Sequence, residues 1–141
     1  MDDPKGRSPP SPHSIASYHA HIYYDPASTR QQAAELRAAI GERFLVQVGR
    51  WHDALVGPHT RSMYQVAFAT EYFASFVPWL MLNRRGLTVL VHPNTGMPRD
   101  DHLVHSLWLG EVLPINADPL PPREDPAAME PVVPNTQPTR A

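Results

Sequence analysis

The 141-residue chain contains no cysteine, which excludes disulfides, a thiolate metal site and a thiol nucleophile. No apolar run approaches the roughly 20 residues needed to span a bilayer. The N-terminus lacks the apolar core of a secretory signal. These absences make the cytoplasm the default location and a membrane partner unexpected. Charge of one sign is also missing. The net charge is −2, and between Ser17 and Leu113 eight Arg face eight Asp or Glu. No basic stripe marks a nucleic-acid surface, and no basic amphipathic run marks a membrane-surface helix.

Two parts of the chain are poor in aromatic and apolar residues and rich in proline. Residues 1–12 contain four prolines, and Pro114 to Ala141 contains eight. Such segments cannot bury enough apolar area to offset the entropy of ordering them. The expected organisation is therefore a flexible N-terminal tail over 1–16, one folded domain over 17–116, and a Pro-rich disordered tail over 117–141. About 100 residues suffice for one core with two layers.

Within that core, Ser17–Tyr24 (SYHAHIYY) alternates, with Tyr18, Ala20 and Ile22 on one face and His19, His21 and Tyr23 on the other, as a strand does. Asp25-Pro26 ends it. Ser28-Thr29-Arg30-Gln31 has capping-box spacing with Ser28 at the N-cap. Ala33, Leu36 and Ile40 then predict a helix over 29–42. Leu45–Trp51 reads as a second strand, 52–61 as a long connection, and Met63–Ala69 as a third strand. Thr70 is placed to cap a second helix carrying Phe73, Phe76, Val77 and Leu80, with Pro78 expected to kink or split it. Leu87–His92 reads as a fourth strand and 93–101 as a loop. Residues 102–113 fit a short strand or a last helix equally well. The order is α+β, the ferredoxin-like β-α-β-β-α-β plan of one antiparallel sheet with both helices on one face. That plan leaves the other face bare, to be covered by dimerisation into an α/β barrel or by a ligand.

Eight histidines are present, and all but His13 lie inside the core. His19 and His21 leave one side of a strand about 6.6 Å apart. His59 follows Gly57-Pro58 in the long connection, where function concentrates. His92 ends the fourth strand, on a strand that the plan places beside the first. His102 and His105 share a face if their segment is helical. Nitrogen ligands without sulfur suit Fe(II), Zn, Mn or Cu. Asp25, Asp53, Glu71, Asp100 and Asp101 could supply a carboxylate, but none has a diagnostic spacing from a histidine, so an all-histidine set is also open.

With these stretches laid out, the core resembles the DOPA 4,5-dioxygenase family, extradiol ring-cleaving enzymes of fungi and bacteria. The matching stretches, in the family's order, are His19–Asp25 (HAHIYYD), Gly57-Pro58-His59, Met63–Phe68 (MYQVAF), Pro78-Trp79-Leu80, Leu90–Gly96 (LVHPNTG), Asp101-His102 and Leu107–Pro114 (LWLGEVLP). The resemblance implies a dimeric ferredoxin-like fold, Fe(II) dependence, and O₂-dependent opening of L-DOPA or a related catechol. His19, His21, His59, His92 and His102 match the family's histidine-bearing motifs. On this basis His21, His59 and His92 are assigned as metal ligands with His19 as a fourth, and His102 as the acid/base group, histidine being suited to that work near neutrality. Arg50 and Arg61 flank the histidine loop and could clamp a substrate carboxylate. Trp51 and Tyr64 could stack on the ring, although packing in the core is the commoner fate of such residues. Two other classes stay open. One is a different histidine-metal enzyme, such as a Zn hydrolase or isomerase; the other is a non-catalytic dimeric barrel that binds a small aromatic ligand.

Overall fold

A computed structural model describes residues 9–124. Residues 1–8 and 125–141, most of the expected tails, lie outside the described residues. The elements are β1 (Ser17–Tyr23), α1 (Arg30–Arg43), β2 (Gln47–Val48), β3 (Met63–Phe68), α2 (Phe73–Asn83), β4 (Val89–Asn94), α3 (Pro98–Leu103) and β5 (Leu107–Leu109). They build one antiparallel sheet in the order β2-β3-β1-β4-β5. The expected β-α-β-β-α-β plan is present, extended by α3 and an edge strand.

Strand parity divides the molecule. Ala20 and Ile22 of β1, Tyr64, Val66 and Phe68 of β3, and Val89 and Val91 of β4 face one way. They pack with Ala33, Leu36 and Ile40 of α1 and Phe76, Val77 and Leu80 of α2 into one buried cluster. Burying a side chain such as Leu36 or Phe76 stabilises by roughly 1.5–3 kcal/mol. This face supplies most of the apolar burial that holds the fold.

Several local expectations need correction. Ser28 does not cap α1. Thr29 is the N-cap and makes no side-chain capping bond; its hydroxyl instead accepts from the Asp25 N–H at 2.7 Å, a local bond that closes the turn after Asp25-Pro26. Thr70 opens a single 3₁₀ turn, not the helix proper. Pro78 does not split α2, which runs unbroken from Phe73 to Asn83; burial of Phe76, Val77 and Leu80 on both sides of the proline outweighs the one backbone bond it removes. The second strand shrinks to Gln47–Val48. Residues 93–113 resolve into strand end, α3 and β5, because Pro98 fits the first turn of a helix and Leu107–Leu109 pairs with β4.

Ordered contacts extend past residues 17 and 116 toward both termini. Pro12–Ser14 forms a 3₁₀ turn and the Ala16 N–H reaches the Asn94 carbonyl at 2.9 Å. At the other end Leu120 is buried, and Arg99 donates to its carbonyl at 2.8 Å. The Glu124 N–H reaches the Gly96 carbonyl. Proline content hid these anchors because each is a single long-range contact with no periodic pattern.

The second sheet face is not bare. Tyr23, Met63, Leu90 and Leu113 form a smaller cluster there with Trp108 and Ile115. The chain's own 110–116 segment and the histidine loop cover part of this face, joined by the His59–Ile115 bridge. No helix among the described residues is long and apolar enough to cross a membrane.

Candidate metal centre

The residues of β1 that point away from the core are His19, His21 and Tyr23. Register brings β4 to meet them: His19 is paired with His92 and His21 with Leu90. On the other side His19 and His21 stand opposite Ala67 and Gln65 of β3. Two further histidines are delivered from outside the sheet. The loop after β2 turns through Gly57, whose φ of +59° favours a residue without a Cβ. It is then pinned by the Asn116 N–H on the Pro58 carbonyl at 2.8 Å and by the Thr60 hydroxyl on the Pro114 carbonyl at 2.9 Å. His59 enters from this loop. His102 comes from α3, whose start is held by the buried Asp101 carboxylate, which accepts from the Thr95 N–H (2.9 Å) and hydroxyl (2.7 Å). Thus α3 lies on the histidine side of the sheet, not with the other two helices.

Five imidazoles therefore meet. Ring centres lie 5.9 Å apart for His19–His21, 5.1 Å for His19–His92 and His21–His92, 4.2 Å for His21–His59, and 3.9 Å for His92–His102. Two triads, His19–His21–His92 and His21–His59–His102, each have ligand nitrogens within 4.8 Å of one another. They share His21. His59 and His92, assigned together from sequence, fall in different triads. Neither triad contains a carboxylate. Asp101 is occupied by Thr95, and Asp53 by Tyr24 and Arg30, so of the two options left open the all-histidine set is the one the geometry favours.

Hydrogen-bond partners assign the protons. A carbonyl oxygen only accepts. His92 therefore donates from Nδ1 to the Pro93 carbonyl at 2.8 Å, and His102 from Nδ1 to the Pro98 carbonyl at 2.7 Å. Each keeps a lone pair on Nε2. The His21 and His92 Nε2 atoms are 3.0 Å apart. That is roughly the spacing of two neighbouring ligands on one ion when each bond is about 2.1 Å. Without a cation His21 must donate to His92, which leaves the buried His21 Nδ1 with no partner. A cation on the two Nε2 atoms would move the proton to this Nδ1, where a water can accept its hydrogen bond; the close, neutral ring nitrogens are what suit a cation. These residues fit a metal.

Electrostatics agree. Burial, reinforced by the His102 charge, lowers the pKa of His19 to about 4. Burial and the neighbouring His102, His52 and His19 lower His59 to about 4. His21 and His92 are pushed well below the ordinary histidine value, first by burial and then by the other rings. His102 is lowered by burial, partly opposed by the Pro98 carbonyl and Asp101. All five are neutral near pH 7, the form that binds a metal. His19 is half-buried, and the cluster opens toward solvent past it. A cavity of about 460 Å³ borders the cluster at His92, with Pro12, Tyr18, Phe73, His105 and Leu107 among its walls.

The remaining sequence candidates are not brought together with the histidines. Tyr64 lies on the opposite face, fully buried, its hydroxyl donating to the Ala33 carbonyl at 2.9 Å; its even position in β3 turns it toward the helices, so it cannot stack on a ligand at the histidines. Trp51 packs at the core's edge beneath Arg30, whose guanidinium sits 4.1 Å from the ring centre. Arg50 is exposed. Arg61 is exposed and lines a separate cavity of about 290 Å³ with Tyr23, Asp25, Thr88 and Glu111. Neither arginine lines the cavity that borders His92. Sequence reasoning missed Tyr23, whose hydroxyl lies 2.7 Å from His59 Nδ1, and His52, which lies near enough to lower His59. Tyr23 was readable, since it follows His19 and His21 at the same strand parity.

An antiparallel ferredoxin-like sheet here carries two neutral histidine triads that could hold a metal ion through nitrogen alone. A model of the Dopa 4,5-dioxygenase family matches residues 18–119, and the chain belongs to that family. A DOPA 4,5-dioxygenase from Amanita muscaria is 34% identical over 119 residues, covering 79% of this chain and 52% of the relative. An uncharacterised 21.2 kDa protein from Botryotinia fuckeliana is 36% identical over 111 residues, covering 71% and 61%. The chain thus spans about half to three fifths of the curated relatives it matches. The crystal structure of a candidate dioxygenase from Nostoc punctiforme is 53% identical with a TM-score of 0.75, covering 77% of this chain and 93% of that one.

Proposed function

We propose that this chain is an Fe(II)-dependent extradiol dioxygenase that opens the ring of L-DOPA or a related catechol with O₂. The observation that carries the reading is the His19–His21–His92 triad, with two Nε2 atoms 3.0 Å apart on adjacent strands, in a chain of this family. These three residues would hold the iron. When bound, the iron supplies a Lewis acid that eases loss of the catechol protons and a template that holds ring and O₂ together. Both atoms of O₂ enter the product as one ring C–C bond breaks, so no outside reductant is needed.

The protein's own groups do the rest. The Nε2 lone pair of His102 accepts a catechol proton and later returns it. Its lowered pKa keeps it neutral, hence a base, at pH 7. The apolar cluster of Tyr23, Leu90, Leu113 and Trp108 limits water beside the histidines. A homodimer and cytoplasmic residence belong to the same reading. Leu103, Val104 and Val112 are exposed, and a second copy would cover them.

The test is anaerobic loading of the purified chain with Fe(II), followed by L-DOPA, caffeate and protocatechuate, reading O₂ consumption and the yellow ring-fission product. Uptake of one O₂ per catechol is expected. An iron-loaded, reduced sample that consumes no O₂ with any of them sinks the proposal.

A further inference from the structure

We propose that Tyr23 holds His59 as a neutral N–H donor beside the His19–His21–His92 triad, making Tyr23 a positioning residue and removing His59 from the ligand set. The inference rests on reading the histidine face as a metal site.

Tyr23 is buried, and its ring is stacked on Trp108 with centres 6.0 Å apart and planes 18° from parallel. Among the described residues its hydroxyl has one side-chain partner, His59 Nδ1 at 2.7 Å. A buried O–H left without an acceptor costs roughly 1–3 kcal/mol, and Nδ1 is the acceptor within reach. The phenol therefore donates, and Nδ1 supplies the lone pair. A neutral imidazole with its lone pair on Nδ1 carries its proton on Nε2.

This is the reverse of His92 and His102. Backbone carbonyls take their Nδ1 protons and leave Nε2 lone pairs. The cluster thus contains two kinds of histidine, sorted by what stands behind each ring. Carbonyl-backed rings can bind a cation or accept a proton through Nε2; the phenol-backed ring, while the phenol donates to its Nδ1, presents an N–H there instead. The His21–His59–His102 triad is then one lone pair short of a metal site, which leaves His19–His21–His92. His59 lies with its ring centre 4.2 Å from that of His21, and its backbone is anchored by the bridge to Ile115. A fixed N–H there can stabilise negative charge developing on a substrate oxygen without itself changing protonation.

The test is ¹⁵N–¹H correlation of the histidine rings in the full chain, metal-free and Zn(II)-loaded, for the native protein and Tyr23→Phe. A protonated Nε2 and bare Nδ1 on His59 in the native chain, giving way to a tautomer mixture in Tyr23→Phe, is the expected result. A protonated Nδ1 on native His59, or an unchanged tautomer in the variant, overturns the proposal. Zinc stoichiometry gives a second readout: His59→Gln should keep zinc that His92→Ala loses, and loss of zinc in His59→Gln also overturns it. If the native chain binds no zinc or iron at all, the metal-site reading fails, while the metal-free spectrum still decides the Tyr23–His59 pairing. With iron loaded, Tyr23→Phe should lower kcat about 10–100-fold at unchanged iron content; an unchanged kcat removes the donor role.

Discussion

The two faces of the sheet are made by alternate residues of the same strands, yet they solve opposite problems. On the helix side the hydroxyls of Tyr64 and Tyr24 are satisfied by the Ala33 carbonyl and Asp53, and the rest of the buried cluster is apolar. On the other side five buried or half-buried imidazoles crowd together, and one nitrogen of His21 has no partner. The first face is finished by folding. The second is left polar, neutral and short of one bonding partner, which costs stability unless something binds. A face that is costly in isolation is a better pointer to function than one that merely packs.

Exchanging damage between the faces tests this contrast most strongly. His21→Ala or His92→Ala should cut bound metal from one ion per chain to near none, read by elemental analysis after desalting. Phe76→Ala should do the reverse, costing about 3–5 kcal/mol in urea unfolding while the folded fraction keeps its metal. Full metal retention in both histidine variants would sink the ligand assignment. Next in size, His102→Ala should retain iron and lower kcat on the order of 10²–10⁴-fold; loss of iron instead would make His102 a ligand.

The faces should also differ in acid. The helix-side core holds no histidine. The five on the other face have folded pKa values below the ordinary 6.5, with His19 and His59 near 4. Below 6.5 the unfolded chain binds protons that the folded chain refuses, so stability falls as pH drops. The metal-free protein should therefore lose stability progressively from about pH 6.5 to pH 4, and the urea midpoint should follow. A flat midpoint across that window would show that the rings are not neutral in the fold. Smaller still, Tyr64→Phe should cost about 0.5–1.5 kcal/mol and leave turnover unchanged, since its hydroxyl serves the core. The smallest effect is expected for His13→Ala: that exposed ring lies in the N-terminal 3₁₀ turn, and metal content, melting temperature and kcat should all stay at native values.

Much of this arrangement was readable one strand at a time. The alternation of Ser17–Tyr24 puts His19, His21 and Tyr23 on one side because side chains in a strand alternate with a period of two. Strand and helix order then places β1 between β3 and β4, which brings His92 near. The same rule, applied to Met63–Phe68, would have turned Tyr64 away from the site. That error came from reading an aromatic by type and not by parity.

What local patterns determined by themselves was the pair of central helices, the strand order, the five matched histidines and the absence of thiol chemistry. Only the tertiary structure decided how those histidines divide. Cross-strand register sets His19 against His92, and that is a relation between strands, not within one. Closure of the 52–61 connection against Pro114–Asn116 delivers His59 onto Tyr23. The Asp101–Thr95 bonds set α3 so that His102 enters the cluster. Which ring nitrogen carries a proton depends on what stands behind each ring, and a carbonyl or a phenol gets there only when distant segments meet.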